Sequence, residues 1–478
     1  MLFNSFEYLL FLPIVFLLYW HVFNKSVRLQ NFFVVIVSYI FYGWWNWHFL
    51  LLIAFTTLCS YFSGLAIMRD RQFGGGKSKL FAWANVVINL VILGIYKYYN
   101  FFVESFVEAF ASLGVTLEMS TLRLVLPVGI SFYTFQALSY TIDVYKQKIH
   151  PTKDIVAFVA FISFFPQLVA GPIERATNLL PQFLKPRRFD YVKAVDGMKQ
   201  ILWGLFKKMV IADNCADFVN SVWANYSSHS SGVLVLAAVL FAFQIYGDFS
   251  GYSDIAIGSA RLFGINLMRN FNFPYFSRNV SEFWKRWHIS LNTWFVDYIY
   301  IPLGGSRRGQ LVKLRNTFAI FLLSGLWHGA NWTFVLWGLY HSFLFVPLMV
   351  LGKAKGYSKQ IAEGRLLPTL REAFSILVTF FLVVIGWIIF RADNISQFFD
   401  YMNCMTCHVM LDDSTGMPKY TLAYILVLLM VEWLNRNKQY GLQFQLPSRW
   451  MRWSLYVLLS IVILTQAGNQ AEFIYFQF

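Results

Sequence analysis

Charge is what this chain has least of. Lys, Arg, Asp and Glu together make up 13% of its 478 residues, against about 25% in soluble globular domains. That deficit excludes a soluble fold for the chain as a whole. No stretch reads as a soluble domain of useful size, and no internal repeat stands out, which sets solenoids and propellers aside. The first apolar segment follows Glu7 without a basic leader or a small-residue cleavage site, so a removable signal peptide is not expected. No His/Cys/Asp cluster has zinc-ligand spacing, and no bound metal is expected. No serine occupies a Gly-x-Ser-x-Gly elbow. Gly74-Gly-Gly-Lys77-Ser78 ends like a phosphate-binding loop, but Arg71 stands where the first glycine is required and no strand precedes it.

Apolar residues are abundant instead: 58% of the chain is hydrophobic and 20% aromatic. Apolar windows recur near residues 7–23, 31–45, 48–67, 79–98, 123–144, 154–170, 233–258, 317–350, 374–390, 420–434 and 453–467. About 20 such residues in a helix cross the hydrocarbon core. The expectation is an all-α polytopic membrane protein with about eleven transmembrane helices plus re-entrant and interfacial helices.

The net charge of +15 does not point to nucleic acid, because the basic residues gather between the windows. They cluster at 25–28, 69–79, 146–153, 185–193, 261–315, 353–371 and 436–452, the last two groups including Lys353, Lys355 and Arg436. Short basic loops face the cytoplasm. Loops poor in Lys and Arg, at 104–118, 213–231 and 392–417 (the last carrying Asp393, Asp400, Asp412 and Asp413), are expected on the other side. This pattern predicts both termini outside and every basic cluster inside. Residues 154–170 have basic segments at both ends, so either they dip into the bilayer and return or the count of spans is off by one there.

Four cysteines are present. Cys59 and Cys215 read as small core residues. Cys404-Met-Thr-Cys407-His408 matches a c-type haem attachment pattern, but no haem-enclosing domain surrounds it. A disulfide on the outer side and two unpaired loop cysteines both stay open.

The stretch from Arg261 to Arg315 carries nine basic and two acidic residues and no convincing span. Basic segments with an aromatic face lie flat at the interface. Asn279 and Glu282 are spaced as a capping box. Trp284, Trp287, His288, Leu291 and Phe295 then recur at helical spacing. One helix over 279–295 is predicted, with His288 on its inward face and Lys285 on a flank. Pro302-Leu-Gly-Gly305 ends it, and Ser306-Arg-Arg-Gly309 reads as a turn.

Residues 317–350 would make a helix of about 51 Å at 1.5 Å per residue, too long for a core of about 30 Å. Both flanks are basic (Lys313 and Arg315; Lys353 and Lys355). Two shorter helices meeting near 325–331 satisfy both observations, with His328 at the tip of a re-entrant pair. An imidazole at membrane depth marks a functional site, and near neutral pH it can take a proton from an attacking hydroxyl. Gly325 and Gly329 offer room for close backbone or ligand approach, and Trp327 and Trp332 are expected to wall the ring. His288 reads equally as a functional group or an interfacial anchor. Asp248 and Asp254, in an apolar run, need partners; they orient a histidine or pair with an arginine, structure being the favoured role. Gly171-Pro-Ile-Glu174-Arg175 reads as a turn with a local ion pair.

Taken together, these motifs resemble the membrane-bound O-acyltransferase family over nearly the whole chain, read as one domain, 1–478. The resemblance rests on Asn272-Phe-Pro-Tyr275, Phe283-Trp-Lys-Arg-Trp-His288-Ile-Ser-Leu, Asp297-Tyr-Ile-Tyr-Ile-Pro-Leu-Gly-Gly305 and Gly325-Leu-Trp-His328-Gly. Tyr246-Gly-Asp-Phe-Ser-Gly-Tyr-Ser-Asp254, Ala170-Gly-Pro172 and the ending Phe473-Ile-Tyr-Phe-Gln-Phe478 add to it. Within the family the chain looks most like the alginate O-acetylating branch; D-alanyl transfer to teichoic acid is the nearest other pathway.

The resemblance implies a helical ring around a central cavity and acyl transfer from a cytoplasmic thioester donor, acetyl-CoA or an acyl carrier. No other cofactor is expected. It implies that function rests chiefly on His328 as base or transient acyl acceptor, with His288 orienting the thioester or the imidazole. It also implies an exported partner protein, a polysaccharide acceptor and a bacterial inner membrane. Arg307 and Arg308, with Lys285 and Arg286, are expected to form a basic rim that holds donor phosphate or lipid headgroups. D-alanyl transfer and a non-enzymatic acyl conduit stand as the alternatives.

Overall fold

The computed structural model describes residues 1–478 except 118, 123, 170, 353–359, 408–415, 445 and 475–478. Ala170, Lys353, Lys355, His408, Asp412, Asp413 and the last four residues of the aromatic ending therefore lie outside the described residues. All regular structure among the described residues is helical. Among the described residues, five helices are long and apolar enough to cross a membrane: Phe49–Gln72, Ser78–Lys97, Ser231–Leu262, Trp332–Val350 and Leu370–Arg391. The chain divides into two compact units, Met1–Gly197 with Ser259–Met268, and Met198–Gly258 with Arg269–Phe478.

The first unit holds α1 (Phe6–His21), α2 (Val27–Gly43), α3 (Phe49–Gln72), α4 (Ser78–Lys97), α5 (Tyr99–Ser112), α6 (Ile130–Tyr145), α7 (Ile155–Ser163), α8 (Phe165–Leu168) and α9 (Ala176–Phe183). The predicted window 123–144 becomes helical only at Ile130, after Gly129 in the left-handed region. Lipid offers no hydrophobic drive between helices, so polar side chains join them. The Asn85 amide donates to the Thr141 hydroxyl at 2.7 Å and to Ser60 at 3.2 Å, tying α3, α4 and α6. The expected dip at 154–170 is two short buried helices, α7 of nine residues and α8 of four. At 1.5 Å per residue α7 is about 14 Å long and crosses nothing. In the following turn Glu174 feels the charge of Arg175, the local partner expected, and also accepts from Asn178 and from the Met268 backbone N–H.

The second unit takes in the last part of α10 (Tyr191–Leu205), a π-helical turn at Phe206–Ala212, α11 (Asp213–Ala224) and most of α12 (Ser231–Leu262). Two short helices follow, α13 (Val280–Arg286) and α14 (Ile289–Phe295), then α15 (Gln310–His328), α16 (Trp332–Val350), α17 (Leu370–Arg391), α18 (Ile395–Cys407), α19 (Lys419–Leu434) and α20 (Arg449–Gln466). The basic-poor segments at 104–118, 213–231 and 392–417 are largely helical in α5, α11 and α18. These stretches were expected as loops, and the helices correct that: a low count of basic residues says nothing of a segment's shape. Cys404 and Cys407 lie on α18, both free, the first buried and the second exposed.

Close backbone approach needs glycine at several places in this unit, and two of them position the elements around the site. A Cβ on Gly204 would lie 2.6 Å from the Gly251 carbonyl oxygen, so α12 lies tight against the helix that carries the π turn. A Cβ on Gly325 would lie 2.1 Å from the Phe334 oxygen, and one on Gly338 2.4 Å from the Phe321 oxygen, which makes α15 and α16 a closely packed hairpin.

Candidate active site

The hairpin breaks at residues 329–331, as the length of the apolar run predicts, and His328 is the last residue of α15. Asn331 caps α16 by accepting the Thr333 N–H at 3.0 Å. Gly329 has no space for a ligand: a Cβ there would lie 2.1 Å from the Phe334 ring. Both glycines flanking His328 therefore serve packing. Of the two expected walls, Trp327 is in place. His328 meets Trp327, Trp337 and Phe390 edge-on, with centroids 4.9, 5.1 and 5.2 Å away, whereas Trp332 is 51% exposed.

His288 does not sit inside one long helix. α13 stops at Arg286, and His288 takes a left-handed conformation with φ 44° and ψ 53° before α14 starts. A non-glycine residue there is costly and persists only where its surroundings over-determine it. Two asparagines do so. Asn292 donates to the carbonyls of Trp284 and Trp287 at 2.5 and 2.9 Å, covering acceptors that the ended helix leaves open. Asn270 accepts the Ser290 hydroxyl at 2.9 Å through its side chain, accepts the Ile289 N–H at 2.9 Å through its carbonyl, and donates to Ser253 at 3.1 Å. The predicted capping box is half present. Asn279 accepts the Glu282 N–H at 2.8 Å, but the Glu282 carboxylate turns to the Arg278 N–H at 2.9 Å.

Despite the break, Trp284, Trp287, His288, Leu291 and Phe295 are all buried. The His288 ring lies 4.7 Å from Phe249 and 5.5 Å from Trp327. Trp327 is thus the shared wall of both predicted histidines, which the fold brings to its two neighbouring contacts. Burial pushes the His288 pKa down from 6.5 to about 3, so this imidazole is neutral at physiological pH. Both histidines are almost fully enclosed, His288 at 1% and His328 at 4% exposure.

A third histidine was not singled out from sequence. His341 on α16 is 1% exposed and packs 4.9 Å from both Trp284 and Trp337. Its position four residues after Trp337 on an apolar helix is the signal that could have found it.

The buried carboxylates pair with lysines, where arginine or histidine was expected. Lys207 lies 2.5 Å from Asp254 and donates to Ser250 at 2.9 Å. Lys208 lies 2.8 Å from both Asp248 and Asp213. Lys208 also donates to the Ala471 carbonyl at 3.0 Å, and Asp248 accepts the Ile474 N–H at 2.7 Å, so the network fastens residues 471–474. Of the predicted basic rim, Lys285, Arg307 and Arg308 are exposed. Arg286 is turned to Glu282 at 2.8 Å. Burial pushes the Glu282 carboxyl up, but hydrogen bonds from Arg278 and the Arg286 charge outweigh it and hold the group below its usual range.

The described residues define a multi-pass helical membrane protein with enclosed histidines around one indole. The membrane-bound O-acyltransferase family model matches residues 40–354. The chain is 41% identical over 400 residues to the "Probable alginate O-acetylase AlgI" of Pseudomonas aeruginosa, covering 83% of this chain and 73% of that protein. It is 32% identical over 522 residues to the peptidoglycan O-acetyltransferase of Helicobacter pylori, covering 98% and 95%. Against the teichoic acid D-alanyltransferase of Streptococcus thermophilus, identity is 27% over 311 residues, covering 61% and 75%. The chain belongs to the membrane-bound O-acyltransferase family and is an acyltransferase.

Proposed function

We propose that the protein moves an acetyl group from a cytoplasmic thioester, acetyl-CoA or an acyl carrier, towards an exported or cell-surface polysaccharide at a bacterial inner membrane. The observation that carries this reading is His328 at the tip of the α15–α16 hairpin, enclosed by aromatic rings with His288 across Trp327. The names of the relatives support the acceptor class: alginate and peptidoglycan are both polysaccharides.

In this reading the His328 imidazole takes the proton of the acceptor hydroxyl as its oxygen attacks the thioester carbonyl. The C–O bond forms, the C–S bond breaks, and the proton returns to the departing thiolate. A transient acyl-imidazole on His328 is the two-step version of the same chemistry. His288, neutral and held by its strained backbone, orients the thioester. Arg307 and Arg308 on the exposed turn bind donor phosphate from the cytoplasmic side, with both termini outside and an exported partner protein carrying the acyl group onward.

His328→Ala tests it. Removing a general base costs about 10²–10⁴-fold in rate, so this variant should insert normally and lose polysaccharide acetylation. Near-wild-type acetylation would overturn the assignment. The D-alanyltransferase relatives favour a second donor, a D-alanyl carrier. Offering labelled acetyl-CoA and labelled D-alanyl carrier side by side separates the two by which label reaches product.

A further inference from the structure

Among the described residues, His341 is the buried histidine that the proposed chemistry leaves without a task. The Trp284 indole N–H donates to its Nδ1 at 3.3 Å. An indole nitrogen only donates, so Nδ1 is the acceptor and the ring carries its proton on Nε2. The Nε2 edge lies against α17, where a Cβ on Gly386 would be 2.8 Å away. Around the ring stand Trp284 of α13, Trp337 of the same helix and Phe321 of α15, with centroids at 4.9, 4.9 and 6.1 Å. Trp337 in turn packs on His328 at 5.1 Å, and Trp284 packs on Trp337 at 5.4 Å.

His341 therefore touches α13, which leads into His288, and shares Trp337 with His328. We propose that His341 is a positioning residue: its hydrogen bond to Trp284 and its packing on Trp337 hold the two histidine-bearing segments in register. It donates no proton to substrate and contacts no reacting atom. A polar lock suits this place, because aromatic contacts alone allow an indole to slide in its plane, and a directional N–H···N bond does not.

This inference rests on the reading of His328 as the working group, and the test keeps the two apart. Five variants are compared in one acyl-transfer assay with purified protein in detergent: His328→Ala, His341→Phe, His341→Asn, Trp284→Phe and the double variant His341→Phe/Trp284→Phe. His341→Phe keeps an aromatic ring and loses the acceptor. Misplacing a reacting group by about 1 Å costs about 10²-fold, so kcat should fall between tenfold and a hundredfold while donor KM stays put. His341→Asn places an amide oxygen close to the Nδ1 position and should restore most of kcat. Trp284→Phe should reproduce the loss, and the double variant His341→Phe/Trp284→Phe should lose no more than either single one, since one shared bond is broken only once. Wild-type kcat in His341→Phe beside a dead His328→Ala overturns the positioning role and leaves His328 standing. An active His328→Ala overturns the reading beneath it. Multiplying losses in the double variant, or a rise in KM without a fall in kcat, also overturns it. Should His341→Phe fail to insert, Trp284→Phe carries the same comparison.

Discussion

Replacing Gly325 by alanine adds one methyl group three residues before His328, and the structure sets the size of its effect. The new Cβ would lie 2.1 Å from the Phe334 carbonyl oxygen and 3.0 Å from its carbon. Ordinary contact begins near 3.4 Å, so α15 and α16 must part by 3.4 − 2.1, about 1.3 Å. The obstacle is backbone, which cannot rotate away. Overpacking of this kind costs about 1–3 kcal/mol, and a shift of about 1 Å at a reacting group costs about 10²-fold in rate. The same variant should therefore melt earlier in detergent and turn over about a hundredfold more slowly. Gly94→Ala on α4 is the control, since nothing lies within 4 Å of a Cβ there. Wild-type turnover and melting in Gly325→Ala would refute the argument that hairpin closeness places His328.

Three further outcomes are expected. Lys208→Met leaves Asp213 and Asp248 buried without their cation, at a cost of about 3–5 kcal/mol; a protein that accumulates and melts as wild type would contradict it. Arg307→Gln with Arg308→Gln should raise the donor's KM with little change in kcat, and unchanged donor kinetics would leave that turn as a headgroup anchor. Cys407, exposed on α18, should react with a membrane-impermeant maleimide in spheroplasts and fail to do so as Cys407→Ser; labelling only after permeabilisation would invert the proposed orientation.

The sequence spoke clearly where a length or a composition was at stake. A 34-residue apolar run cannot be one span, and its division beside His328 follows from that arithmetic together with the flanking charges. Backbone geometry at His288 stayed hidden because the aromatic stripe reports burial, and the same five residues are buried in the broken helix as they would be in a continuous one. The partners that hold the site were harder still. Trp284 lies 57 residues from His341, and Lys207 lies 43 from Ser250. No periodicity connects positions so far apart. Lys207 and Lys208 also fall outside every basic cluster that the topology reading used, since their counter-charges are supplied by α11 and α12. Eleven apolar windows marked hydrophobic segments well but could not separate a crossing helix from the buried fragments α7 and α8, which are equally apolar and merely short.

The π-helical turn at Phe206–Ala212 has a consequence for how this chain tolerates change in length. A π turn holds one more residue than the α-helical turn it replaces, so its hydrogen bonding is the poorer of the two. Deleting a single residue here would let the backbone relax to regular α-helix, a local gain. Because the extra residue is taken up within the turn, the same deletion would leave the segments on either side in register and change only which side chains the turn itself presents. Lys207 and Lys208 are adjacent residues inside the turn, and their facing of Asp254 and Asp248 together is what a deletion within it would disturb. The turn is thus an insertion kept for what it presents: its local irregularity sets two neighbouring lysines against two buried carboxylates.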